Sequence, residues 1–218
     1  LTFYVKSSLV IAMDKVSKKR RGGPRTFDRD QAVDTAMRLF WRHGYEGVSL
    51  NDLTSAIGIA PPSIYAAFGS KTGLYREALD RYFEPRGVQI GSPASMSLTE
   101  AIDRMLRNAV DAVTDPAGEL GCMISSGMIQ CAPDHAALAA ELSERRREMR
   151  DAISTGLQRW LDHDRAGSLA RFLATILQGL SVQARDGATR EQLYQVVSEA
   201  VAGVRATIGS PGIAESDN

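Results

Sequence analysis

Ser49–Lys71 reads SLNDLTSAIGIAPPSIYAAFGSK, and its reading decides the fold: two short helices joined by a tight glycine turn. Ser49 precedes Leu50 with Asp52 three residues on, a near capping box that starts a helix whose Leu53 and Ile57 share a face. Gly58 stops it, Ile59 and Ala60 connect, and Pro61 stands where a first helical turn tolerates proline because its missing N–H has no partner there anyway. The second helix, Pro61 to Phe68, is about two turns long. Such a pair is the helix-turn-helix signature, whose second member lies in the major groove of DNA.

Two helices of this size cannot bury a core alone, and the flanks supply the rest. Asp28 with Gln31 caps a preceding helix in which Val33, Ala36, Met37 and Phe40 make one face, ended by Gly44. A following helix begins after Ser70, carries Leu74, Ala78 and Tyr82, and stops before Pro85. Residues 26–84 are therefore read as a DNA-binding domain. On its second short helix Ile64 and Phe68 point inward, which leaves Pro62, Ser63 and Ala66 outward and Tyr65 at the rim. That face has no Arg, Lys, Asn or Gln for bidentate base contacts, so Ser63 and apolar contact with thymine methyls carry more of any readout.

Phe27–Phe83 resembles the DNA-binding domain of the TetR/AcrR family of bacterial transcriptional regulators, which close their helix-turn-helix with an I-Y-x-x-F-x-S-K string. Here the string is Ile64, Tyr65, Phe68, Ser70, Lys71, and the W-R-H-G-Y-E-G-V-S-L run from Trp41 to Leu50 and the pair Leu74, Tyr75 also fit. Two positions depart: Pro62 replaces a frequent glycine and Ala67 a frequent histidine or tyrosine. The resemblance implies that Ser49, Tyr65 and Lys71 touch phosphates, contacts that set register without reading sequence. Plainer roles stand beside these: a helix cap, a core ring, a surface charge.

Gly87–Ser97 is rich in Gly, Pro and Ser and reads as a connection to a second domain, residues 85–208. Ser97 and Glu100 form a capping box for a helix bearing Ile102, Met105, Leu106 and Ala109. After Asp115-Pro116, Cys122–Cys131 reads as helical, and a long helix is expected from about Asp134 to Asp162, densely charged between Glu141 and Asp151. Gly167 is expected to break the pattern before Leu169, Phe172, Leu173, Ile176, Leu177 and Leu180 mark an amphipathic helix. Thr189 with Gln192 caps the last helix, striped by Leu193, Val196, Val197, Ala200, Val201, Val204 and Ile208. Residues 209–218 read as a disordered tail. The sequence thus predicts an all-α protein of about nine helices: an N-terminal three-helix helix-turn-helix domain and a larger C-terminal helical domain.

The resemblance implies that this larger domain binds an effector and dimerises, its last two helices pairing with those of a second subunit as a four-helix bundle. Phe172, Ile176, Leu180, Leu193, Val197, Val201 and Val204 suit that seam, or equally a core within the chain. Met105, Met123, Met128, Met149 and Trp160 are candidates to line an effector pocket, or are simply core. Cys122 and Cys131, on opposite faces of one helix and ~13 Å apart along its axis, are too distant for a disulfide and read as buried thiols.

The chain of 218 residues is 44% hydrophobic, ample for a core, and its charges cancel. The cancellation hides an asymmetry: residues 1–86 hold 14 Lys and Arg against 9 Asp and Glu, and the rest 12 against 17. A basic front and an acidic back suit a protein that meets nucleic acid with its front. Much of the excess lies in a basic arm, residues 1–25, where Lys18, Lys19, Arg20, Arg21 and Arg25 surround Gly22, Gly23 and Pro24. It is a solvated tail or, next to a helix-turn-helix, a minor-groove or phosphate contact through Arg20, Arg21 and Arg25. Met13 is an alternative start, and residues 1–12 carry no expected structure. No stretch is long enough to span a membrane, and two cysteines without an export signal point to the cytoplasm.

His43, His135 and His163 lack metal-ligand spacing, and no phosphate loop, nucleophile motif or cofactor motif is present, so neither a metal nor a cofactor is expected. No titratable constellation in the sequence points to a charged ligand. The functional expectation is a cytoplasmic homodimeric transcriptional regulator, a repressor released from a double-stranded DNA operator by a small molecule and not an enzyme. Activation is the lesser form of this. The rival is an enzyme or carrier of small apolar molecules with an incidental basic front.

Overall fold

The computed structural model describes residues 27–83 and 96–209. Eight α-helices follow in order, with one 3₁₀ turn: α1 Arg29–His43, α2 Leu50–Ile57, α3 Pro61–Phe68, α4 Lys71–Phe83, α5 Leu98–Val113, the turn Pro133–His135, α6 Ala136–Leu157, α7 His163–Arg185 and α8 Arg190–Gly209. The short-range signals set the starts. The Asp28 carboxylate accepts from the Gln31 N–H at 3.1 Å, and the Ser49/Asp52 and Ser97/Glu100 capping boxes both close. Gly58 ends α2 in the left-handed region at φ 78°, where a side chain would be strained.

Helices α1–α4 close around Phe40, Trp41, Leu53, Ile64, Leu74 and Leu79, all essentially without solvent exposure. Phe40, Tyr45 and Tyr75 pack ring against ring within this core, Phe40 meeting Tyr75 edge-on at 4.9 Å. A second core joins α5, α7, α8 and the C-terminal half of α6 through Ile102, Leu106, Ile153, Leu157, Leu173 and Val197.

The two cores are not separated at the connection that the sequence marks. Met123, Ile124, Met128, Leu138 and Leu142 belong to the first core although they follow α5. Helix α6 thus begins against the helix-turn-helix domain and ends in the second core, and its 22 residues span about 33 Å. Its charged middle faces α4, with Arg76 reaching Glu141 at 2.8 Å and Arg145 reaching Asp80 at 2.5 Å.

Several expectations need correction. Residues 122–131 form turns instead of a helix, so Cys122 and Cys131 do not lie on opposite faces of one. The turns are held by distant groups: Arg146 donates to the Ile124 and Gly127 carbonyls at 2.9 and 2.8 Å, and the Cys122 N–H donates to the Ser181 hydroxyl at 2.8 Å. Gly121 at φ 77° lets this loop approach α7 closely, since a Cβ there would stand 2.8 Å from the Ser181 carbonyl. Helix α6 stops at Leu157, and Asp162 caps α7 five residues later; Gly167 lies inside α7 and breaks nothing. The basic arm, the connection at Pro85 and most of the C-terminal tail lie outside the described residues.

Candidate nucleic-acid interface

Helix α3 is seated by Ile64 and Phe68, both buried, and presents Pro61, Pro62, Tyr65 and Ala66 outward. Ser63 is half-buried, less open than the sequence reading has it. Tyr65 is more so, with 53% of its surface exposed. Its hydroxyl has no hydrogen-bond partner among the described residues, which leaves a donor and an aromatic face for another molecule. Arg29 braces the far end of α3: its Nη2 donates to the Ala67 carbonyl at 3.3 Å and to Glu77 at 2.6 Å, while the guanidinium lies over the Phe68 ring.

Lys71 opens α4 just past the turn, its ammonium 4.3 Å from the centre of the Tyr45 ring. Partial burial there pulls the Lys71 pKa down, against the carboxylates of Glu46 and Asp52, which raise it. The contact with the ring places the ammonium at the edge of the helix-turn-helix. Tyr45, whose hydroxyl pairs with that of Thr72 at 2.8 Å, is the residue that sequence reasoning missed. Its signal was its place in the Trp41–Leu50 run.

Ser49 stands differently. Its hydroxyl donates to Asp52 Oδ2 at 2.7 Å and its N–H to the same oxygen at 2.8 Å, and these bonds hold the Asp52 carboxyl below its usual range. Both donors of Ser49 are committed to the cap, so a phosphate contact from it requires giving up part of the capping box.

The charge of this surface is smaller than the sequence asymmetry suggests. Residues 27–83 carry 6 Lys and Arg against 7 Asp and Glu. Arg29, Arg42, Arg76 and Arg81 are paired with carboxylates of the chain, which leaves Lys71 and Arg38 without an ion pair among the described residues. The positive excess therefore belongs to the arm that holds Arg20, Arg21 and Arg25, outside the described residues.

Besides the ion pairs of Arg76, Arg145 and Arg42 with their partners, buried and polar contacts tie the domain to the second body. The Trp41 indole N–H donates to the Gly121 carbonyl at 3.1 Å while Arg185 of α7 donates to the Trp41 carbonyl at 2.6 Å. Glu46 accepts from the Ala132 N–H at 2.8 Å and from His135 Nδ1 at 2.7 Å, which lowers its pKa. At the end of α4 the half-buried Tyr82 brings its hydroxyl next to Cys122, and burial pushes its pKa well up.

The five pocket candidates do not come together. Met123, Met128 and Met149 pack on the first core, Met105 and Trp160 on the second. An open cleft of about 390 Å³ lies instead between α7 and α8, lined by Leu161, Leu169, Phe172, Val204 and Thr207 among others. The dimer candidates also divide. Leu180, Leu193, Val197, Val201 and Val204 are buried in the chain's own second core and are not a free surface. Only Phe172, 45% exposed, and the half-buried Ile176 face outward, joined by Val182 and Val196, 41% and 42% exposed. The apolar stripe was legible, but period alone does not say whether α5 or a second subunit covers it. Among the described residues no cluster of His, Cys, Asp and Glu could hold a metal, and no helix is long and apolar enough to cross a membrane.

An exposed two-turn helix held by a glycine turn on an all-α body defines the class, a helix-turn-helix DNA-binding regulator. Comparison with known proteins makes it more particular. Residues 32–78 match the pattern of the bacterial regulatory proteins of the tetR family. The HTH-type transcriptional repressor ComR of Escherichia coli K12 is 36% identical over 188 residues, covering 82% of this chain and 90% of the relative. BdcR of the same strain, also an HTH-type transcriptional repressor, is 31% identical over 186 residues, covering 82% and 91%. The TetR family transcriptional regulator CifR, solved as a cysteine mutant complexed with 26-bp double-strand operator DNA, superposes with a TM-score of 0.75 at 40% identity over 83% of this chain and 98% of that one. The chain belongs to the TetR family of transcriptional regulators.

Proposed function

We propose that the protein is a transcriptional repressor that binds a double-stranded DNA operator as a homodimer in the bacterial cytoplasm and releases it when a small molecule occupies the second domain. The observation that carries the reading is the outward face of α3 with Tyr65 free and Lys71 held beside it, in a chain 40% identical to a regulator solved on its operator. Tyr65, Ser63 and Pro62 meet the major groove, Lys71 a flanking phosphate, and Arg20, Arg21 and Arg25 the backbone or minor groove beside it. Dimerisation uses the exposed face of α7 and α8 around Phe172, Ile176, Val182 and Val196, because a palindromic operator needs two copies related by a two-fold axis.

Release requires one element to feel both sites. Helix α4 begins at Lys71 and is ion-paired to α6, and α6 runs from the first core into the second. A ligand that shifts α6 therefore shifts α4, and with it the separation of the two recognition helices. A gel shift with the DNA upstream of the protein's own gene tests the reading. Retardation that resists an excess of unrelated DNA supports it; equal retardation of both, or none, removes it.

A further inference from the structure

We propose that His135 is a positioning residue for the contact of Lys71 with phosphate: together with the Ala132 N–H it occupies the Glu46 carboxylate and keeps that acid from pairing with the Lys71 ammonium. This rests on the reading of Lys71 as a phosphate contact and names what keeps it available for one.

The arrangement centres on one ring. Tyr45 is buried, only 5% exposed, and its hydroxyl is fixed on Thr72. Two groups from distant parts of the chain meet it. The Lys71 ammonium stands 4.3 Å from the ring centre, and the His135 imidazole packs at 4.9 Å, nearly perpendicular at 84°. Glu46 is the next residue in the chain, and its charge and that of Lys71 favour each other's ionised form.

A lysine close to carboxylates has an ion pair within reach, yet Lys71 makes none among the described residues. The two acids whose charge bears on it, Glu46 and Asp52, are both engaged. Asp52 takes the Ser49 hydroxyl and N–H. Glu46 Oε1 accepts from the Ala132 N–H at 2.8 Å and from His135 Nδ1 at 2.7 Å. These two locks differ in origin. The first is the capping box of α2, built within four residues, whereas the second comes from 86 and 89 residues further along the chain. Relieved of those donors, Glu46 takes Lys71 as its partner, and a phosphate must then compete for the ammonium. The Pro133–His135 turn leads straight into α6. A movement of α6 that lifts the turn therefore reaches Lys71 through Glu46, alongside the ion pairs to α4.

The test is anisotropy across a salt series on DNA from upstream of the gene, with full-length unmutated protein, H135A, E46Q, the H135A/E46Q double variant and K71A, each checked for folding by circular dichroism. H135A is expected to bind about two- to fivefold more weakly for each protomer on the DNA, the range of one surface ion pair, and to lower the salt slope towards that of K71A. E46Q should bind at least as tightly as the unmutated protein, and the double variant should regain the affinity and slope that H135A loses. A merely structural role for His135 cannot produce that rescue, because Glu46→Gln loosens the same turn further. An H135A protein that binds like the unmutated one, or a loss that the double variant does not regain, overturns the proposal. Should H135A fail to fold, E46Q alone decides: undiminished binding supports the proposal and weaker binding overturns it. K71A separates the two readings. If K71A binds like the unmutated protein, the phosphate contact falls and the role of His135 with it; if K71A is weakened and H135A is not, only the role of His135 falls.

Discussion

Val196 and Val197 are neighbours on α8 with opposite surroundings, 42% and 0% exposed, and the same substitution at each should fail in different ways. At Val197 an aspartate removes a fully buried aliphatic side chain, about 1.5 to 3 kcal/mol of burial, and forces a carboxyl among Leu193, Val201 and the α5 residues of the second core. That carboxyl finds no partner there, and even protonated it costs about 1 to 3 kcal/mol. Together these reach a large share of the ~5 to 15 kcal/mol by which a domain is stable. V197D should therefore be unfolded, or nearly so, as a protomer. At Val196 the carboxylate stays hydrated in an isolated chain and should change protomer stability by no more than about 0.5 kcal/mol. In a dimer built on the exposed face of α7 and α8, however, V196D places two like charges, one from each copy, in an apolar seam. It should be a folded monomer. Circular dichroism melting paired with sedimentation equilibrium reads both outcomes. A V196D protein that remains dimeric at micromolar concentration, or a V197D protein that melts like the unmutated one, would refute the assignment of faces.

Lys71→Ala should weaken binding to all DNA sequences alike and lower the slope of log affinity against log salt by about 0.9 for each protomer on DNA; anisotropy titrations across a salt series would show a changed base preference if this is wrong. Deleting residues 1–25 should lower the same slope more, because few cations in 27–83 are unpaired; an unchanged slope would return the arm to a solvated tail. Glu46→Gln should lower the melting temperature at neutral pH by releasing Ala132 and His135. The Glu46 pKa is lowered in the fold from 4.5, so its carboxylate stabilises fully above that value and loses its effect as pH falls through the folded pKa. The difference between the two proteins should close in that acid range, and a gap that persists below it would argue against the contact.

What was legible in the sequence was local. The caps at Asp28, Ser49 and Ser97, the glycine at 58 and the proline at 61 act within a few residues, so the helix-turn-helix and most helix starts could be read directly. The stretch 122–131 could not. An apolar run of that length is ambiguous by periodicity, and its turns are fixed by Arg146 and Ser181, far away in the chain. Gly167 misled because a glycine only weakens a helix, and Asp162 had already capped α7 before it. Lys71 was found by motif, but its support on Tyr45 is a three-dimensional fact that no spacing in the sequence announces.

The account depends most on α3 meeting DNA as one of two heads. Hydroxyl-radical footprinting on the DNA upstream of the gene, with the unmutated protein and with Tyr65→Ala, tests this most directly. The prediction is two protected half-sites related by two-fold symmetry with centres about 34 Å or a multiple of it apart along the duplex, and protection lost or much weakened in the variant. A single unpaired patch of protection, or a footprint that Tyr65→Ala leaves intact, would contradict it.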